Sequence, residues 1–205
     1  MPMTFLFIIE MIGAVAAAIS GIRLASVKRF DWFGAYIVGL VTALGGGTLR
    51  DVLLDITVFW TTSWDYFVAT GVAMATVLIF QRQLVRRLKA LLVFDAIGLA
   101  LFTVIGIEKS LMAGRPMWVA IAMGLITGAF GGVLRDILIN EEPLIFRKDI
   151  YAMASFLGGV VYGITFALGG DQVACGLSCA GVCLTVRMLA LRYSWHLPIM
   201  HPDNE

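Results

Sequence analysis

The sequence predicts an all-α membrane protein: seven transmembrane helices, arranged as an inverted-topology repeat of two three-helix units plus a seventh helix. Three observations predict it. Apolar residues make up 60% of the 205 positions and charged residues only 14%, against about 25% charged in a soluble domain. That is more apolar surface than one small core can hide. The apolar residues fall into seven runs with short connections. The chain also repeats: displaced by 85 residues, it lies on itself without a gap.

The runs extend from about Phe5 to Leu24, Trp32 to Leu54, Tyr66 to Phe80, Ala90 to Ile107, Met117 to Ile139, Ile150 to Leu168 and Val173 to Leu191. Most approach the 20 or so residues that a helix needs to cross a bilayer. They divide residues 1–205, a single membrane domain, into a first repeat (5–80), a second repeat (90–168), a seventh helix (173–191) and a tail (192–205). Met1-Pro2-Met3-Thr4 carries no basic residue, so the first run reads as a retained helix and not a cleaved leader.

Basic residues sort by side. One side collects Arg23, Lys28, Arg29, Arg82, Arg86, Arg87, Lys89, Arg147, Lys148 and Arg192, whereas the other has only Lys109 and Arg115 outside the helices. The positive-inside rule makes the first side cytoplasmic, with the N-terminus outside and the C-terminus inside a cell inner membrane. Trp60, Trp64, Tyr66 and Trp118 then belong to the outer interface, and Trp32, Tyr151, Tyr193 and Trp195 to the inner one.

Within the repeat, Glu10-Met11-Ile12-Gly13 matches Asp95-Ala96-Ile97-Gly98, Gly21-Ile22 matches Gly106-Ile107, and Tyr66 matches Tyr151. Between Gly39–Leu54 and Gly124–Ile139, nine of sixteen positions are identical, centred on Gly46-Gly47-Thr48-Leu49-Arg50-Asp51 and Gly131-Gly132-Val133-Leu134-Arg135-Asp136. Three helices per unit is an odd number, so the second unit enters the membrane from the opposite side. This is the inverted symmetry common among proteins that move solutes.

Gly45-Gly46-Gly47 and Gly131-Gly132 fall near the middles of the second and fifth helices. Paired glycines at matched depth point to a permeation site, because glycine lets a helix open and expose carbonyls to a cavity. The competing explanation is close helix packing; the duplication favours a break, with new half-helices beginning near Thr48 and Val133. Arg50, Asp51, Arg135 and Asp136 follow the glycines. Charges at such depth are costly and must face protein or water. Glu10 is expected beside Arg50-Asp51, and Asp95 beside Arg135-Asp136. These groups form either two charged constrictions or two structural ion pairs. Gly46→Leu or Gly131→Leu is expected to stop flux while leaving assembly largely intact.

Arg187 near the inner end of the seventh helix reads as a snorkelling cation. Cys175, Cys179 and Cys183, four residues apart, read as a seam of small side chains that admits a neighbouring helix. His196 and His201 lie in a polar tail.

No catalytic signature is present, so no enzyme, metal site or cofactor is expected. The glycine motif lacks the Lys-Ser/Thr of a phosphate-binding loop, and a net charge of +1 offers nothing to nucleic acid.

The two Gly-Gly-x-Leu-Arg-Asp motifs, in a chain that matches from about Phe5 to Leu191, resemble the prokaryotic branch of the trimeric intracellular cation (TRIC) channel family, also described as glycine transporters. The resemblance implies a homotrimer in membrane lipid with one potassium-permeable pore per subunit. It further implies that the second and fifth helices are kinked at their glycines and line that pore. The first repeat departs from the second in having Gly45 where the second has Phe130. A channel for monovalent cations, most readily potassium, is the leading expectation. A carrier of glycine or another small neutral amino acid, binding a carboxylate at a half-helix start, is the alternative. A non-transporting scaffold is the third.

Overall fold

The computed structural model describes residues 3–80, 88–147 and 150–196. Arg82, Arg86, Arg87, Lys148, His201 and the side chain of Lys89 lie outside that description. Seven α-helices follow in order: α1 (Met3–Val27), α2 (Trp32–Leu54), α3 (Asp65–Ile79), α4 (Leu88–Met112), α5 (Met117–Leu138), α6 (Ala152–Ala167) and α7 (Gln172–Tyr193). They match the seven apolar runs. Helices α1, α2, α5 and α7 are each long and apolar enough to cross a membrane. Helices α3 and α6, with 15 and 16 residues, span only about 22 and 24 Å, short of a hydrocarbon core of about 30 Å. They hold equivalent places, so the short third helix is itself duplicated.

Each repeat packs its first helix on its second, and the repeats join where α2 crosses α5 and α1 meets α4. Helix α7 has no counterpart and lies against α6 and α4. Its three cysteines are fully buried, and Gly158 of α6 sits on them: a β-carbon there would lie 2.9 Å from the Cys179 carbonyl oxygen. The small-residue seam is real. Trp32, Trp64 and Trp118 stay exposed, as membrane-interface rings do, but Tyr66 and Tyr151 are buried. The sequence places both at the membrane interfaces; the structure buries them instead, with the Tyr151 hydroxyl against Gly132 beside the Arg135 side chain.

Both second helices end alike. Asp55 and Asn140, 85 residues apart, adopt left-handed backbone at φ 57° and 55°, which Asp and Asn tolerate better than most residues. The chain then folds back into a short 3-10 turn, Phe59–Thr61 in one repeat and Leu144–Phe146 in the other.

Two charged clusters and a glycine crossing

The glycines do not break the helices. Helices α2 and α5 run without interruption through Gly45-Gly46-Gly47 and Gly131-Gly132, so no new half-helix starts at Thr48 or Val133. The glycines instead let the two repeats touch backbone to backbone. A β-carbon on Gly46 would lie 2.1 Å from the Thr127 carbonyl oxygen, and one on Gly131 would lie 2.2 Å from that of Thr42. Thr42 and Thr127 are repeat counterparts, so the contact is reciprocal. Gly47 makes room for the Phe59 ring and Gly132 for the Tyr151 hydroxyl. The expectation that Gly46→Leu would spare assembly is therefore revised: any side chain there meets main chain, which cannot yield.

Beyond the crossing, Arg50 and Arg135 are each only 1% exposed. In the second repeat, hereafter the inner half in the orientation the basic residues predict, Arg135 Nε donates to Asp136 Oδ1 at 2.8 Å, and its Nη1 donates to Asp95 and to Ser20 Oγ. Asp136 Oδ2 accepts the backbone N–H of Leu144 at 3.1 Å. In the first repeat, correspondingly the predicted outer half, Arg50 Nε donates to Asp51 Oδ1 at 2.7 Å, and Asp51 Oδ2 accepts the N–H of Phe59 at 2.9 Å. The aspartate thus ties helix end, 3-10 turn and guanidinium together in both repeats.

The first acid of each repeat joins its cluster through a different contact. Asp95 reaches Arg135, but Glu10 bonds Lys109 Nζ at 2.6 Å instead of Arg50. Lys109 lies within α4, not in a loop, and its ammonium stands 5.0 Å from the centre of the Phe59 ring; the Arg50 guanidinium stands 5.6 Å from the same ring. Arg50 Nη2 lies 2.7 Å from Asp51 Oδ1 but in poor hydrogen-bond geometry, and it has no other partner.

The inner cluster opens onto a cavity of about 290 Å³. Half-exposed Lys28, Glu141 and Arg147 stand at its mouth, and Asp95, Arg135 and Asp136 lie deep within it. Gly45 and Thr48 face elsewhere. They line an open apolar groove with Leu44, Phe130 and Leu134, where Thr48 Oγ1 accepts from Trp60 Nε1 at 2.9 Å.

Two features escaped sequence reasoning. Glu108 is buried and bonded to the Tyr162 hydroxyl at 2.6 Å; the residue before Lys109 gave no signal of its own. Arg187 does not snorkel. It is 1% exposed, donates to the Ile150 carbonyl at 3.1 Å and lies 5.0 Å from the Tyr151 ring centre. Among the described residues, no cluster of His, Cys, Asp and Glu is arranged to hold a metal.

Two inverted three-helix repeats that cross on glycines and bury ion pairs at matched positions define a multi-pass membrane protein of the solute-moving class, not an enzyme. The family model described as "Glycine transporter" matches residues 7–82 and again 92–167, and the chain belongs to that family. It is 39% identical over 202 residues to a UPF0126 membrane protein of Vibrio cholerae, covering 96% of this chain and 82% of the relative. It is 39% identical over 198 residues to the UPF0126 inner membrane protein YadS of Escherichia coli, covering 93% of each. Among solved structures it resembles the TRIC trimeric intracellular cation channel orthologue from Rhodobacter sphaeroides, with 34% identity, a TM-score of 0.89, and coverage of 93% of this chain and 99% of that one. A second TRIC cation channel matches with 33% identity, a TM-score of 0.86, and coverage of 97% and 98%. The chain is a homologue of the TRIC channels.

Proposed function

We propose that this protein is a cation channel permeable to potassium, that it works as a homotrimer in the inner membrane, and that each subunit carries its own path beside α2 and α5. The observation that carries the reading is the inner cavity. It leads from charged residues at its mouth to Asp95, Arg135 and Asp136, charges that membrane depth makes costly unless they serve passage. The cavity along it is lined by charged side chains. The names of the solved relatives, TRIC cation channels, support both the permeant and the trimer. Lys28, Arg29, Arg147 and Arg192 mark the cytoplasmic side, so the N-terminus is outside and the segment after α7 inside. Repeats 5–80 and 90–168 and the seventh helix act as one membrane domain.

A carrier of glycine or another small amino acid is the second reading, favoured by the description of the matching family. The continuity of α2 and α5 weakens it, because no helix end is left at midplane to hold a carboxylate. Reconstitution separates the two: planar bilayers under a potassium gradient, with labelled glycine uptake followed in parallel vesicles. Unitary currents are the expected result. Saturable uptake without currents would replace the channel by the carrier, and silence in both would leave a scaffold.

A further inference from the structure

Among the described residues, Asp95 has one more acceptor than it has donors. Its Oδ1 takes Nη1 of Arg135, while its Oδ2 is buried without a partner. The residue is 6% exposed and lines the inner cavity. A carboxylate oxygen left in that state is costly. The other repeat shows what is missing. Glu10, the counterpart of Asp95, holds the Lys109 ammonium at 2.6 Å. The counterpart of Lys109 is Leu24, which lines the same cavity as Asp95. Around the first site Glu10 and Asp51 face Arg50 and Lys109; around the second Asp95 and Asp136 face Arg135, with Arg187 beside Tyr151 and Lys28, Glu141 and Arg147 at the cavity mouth, yet among the described residues none of these cations reaches Asp95 Oδ2.

We propose that the inner cavity binds a monovalent cation beside Asp95, in the place that the Lys109 ammonium takes beside Glu10. The inference deepens the channel reading and locates an ion along its path. The unpartnered Oδ2 of Asp95, a residue that lines the cavity, is the atom such a cation would bind. The occupant of the equivalent place, the Lys109 ammonium, carries a single positive charge, which favours a monovalent ion there over calcium or magnesium. The cavity leaves the rest of the shell to water. Lys109 acts as a tethered cation, which is why the outer half needs no mobile one.

Two measurements test this on the purified full-length protein. In planar bilayers, Asp95→Asn is expected to raise the inner-side potassium concentration that half-saturates the current several-fold, and Asp95→Glu to restore it. Leu24→Lys, which leaves every ion pair in place, is expected to suppress the current by supplying the inner half with its own tethered ammonium. In detergent, potassium chloride is expected to raise the unfolding temperature above that in the chloride of a bulky organic cation, and Leu24→Lys to abolish that difference. If the wild type conducts but Asp95→Asn and Leu24→Lys keep its potassium dependence, the site is overturned and the channel stands. If the wild type is silent yet shows the potassium-specific shift and Leu24→Lys loses it, the site stands and the channel reading falls. Absence of any potassium-specific shift in the wild type overturns the site.

Discussion

Glu10 and Asp95 occupy equivalent positions in the two repeats, yet one bonds a lysine from the opposite repeat and the other bonds an arginine of its own. Two neighbours account for the divergence. Lys109 beside Glu10 is replaced by Leu24 beside Asp95, and Ser20, which accepts from Arg135, has as its counterpart Ile105, an apolar core residue that can accept no hydrogen bond. Arg50 consequently keeps an unpartnered nitrogen while Arg135 is well bonded. The arginine-aspartate pair and its 3-10 turn are common to both halves. The comparison teaches that a duplicated frame preserves the costly backbone contacts, while single side chains around them set the charge of each mouth.

The largest effect should come where the halves are identical. Gly46→Leu and Gly131→Leu each drive a side chain into the other repeat's main chain, and neither variant should yield monodisperse protein on size exclusion. Next comes the difference between the arginines. Arg135→Leu strands Asp95 and Asp136 together and should cost about 3–5 kcal/mol, the usual penalty for breaking a buried pair. Arg50→Leu strands only Asp51 and should cost less. Equal losses in unfolding experiments would erase the asymmetry.

Tyr162→Phe removes the hydroxyl that holds Glu108. Its counterpart is Val77, and that of Glu108 is Arg23, so the bond belongs to one half only. A loss of about 1.5–3 kcal/mol is expected in unfolding experiments, as for a hydrogen bond to a charged group. The smallest effect should appear at the inner mouth. The hydrogen bond and charge of Lys28, with a lesser contribution from Arg147, hold the Glu141 carboxyl below its usual 4.5. A depressed value means that the pairing is complete above the usual one and is lost as pH falls through the depressed one. Acidifying the inner side below that point should alter the current, and Lys28→Gln should remove that response.

The helices and their inverted repeat were legible because long apolar runs and a gapless 85-residue displacement leave little freedom. The arginine-aspartate pairs were legible because charge at membrane depth is rare. What a glycine makes room for was not. Gly46 and Gly131 fit a broken helix and a close crossing equally well, and only the position of Thr127 and Thr42 decides between them. Lys109 and Arg187 misled for a related reason. Near a helix end, a long cationic side chain can reach out to headgroups or back into the protein, and the choice depends on whether Glu10 or Tyr151 waits across the gap. Tyr66 and Tyr151 were drawn inward by the same clusters.

The reciprocal seating of each glycine under the other repeat's threonine carbonyl has a genetic corollary. Copies of a duplicated segment ordinarily drift apart, each tolerating changes that the other need not answer. Here each copy is the mould in which the other is cast, so a mutation at either glycine is felt first by its twin. Divergence is left to sites away from the mould, and there the two faces of the membrane have acquired different charge.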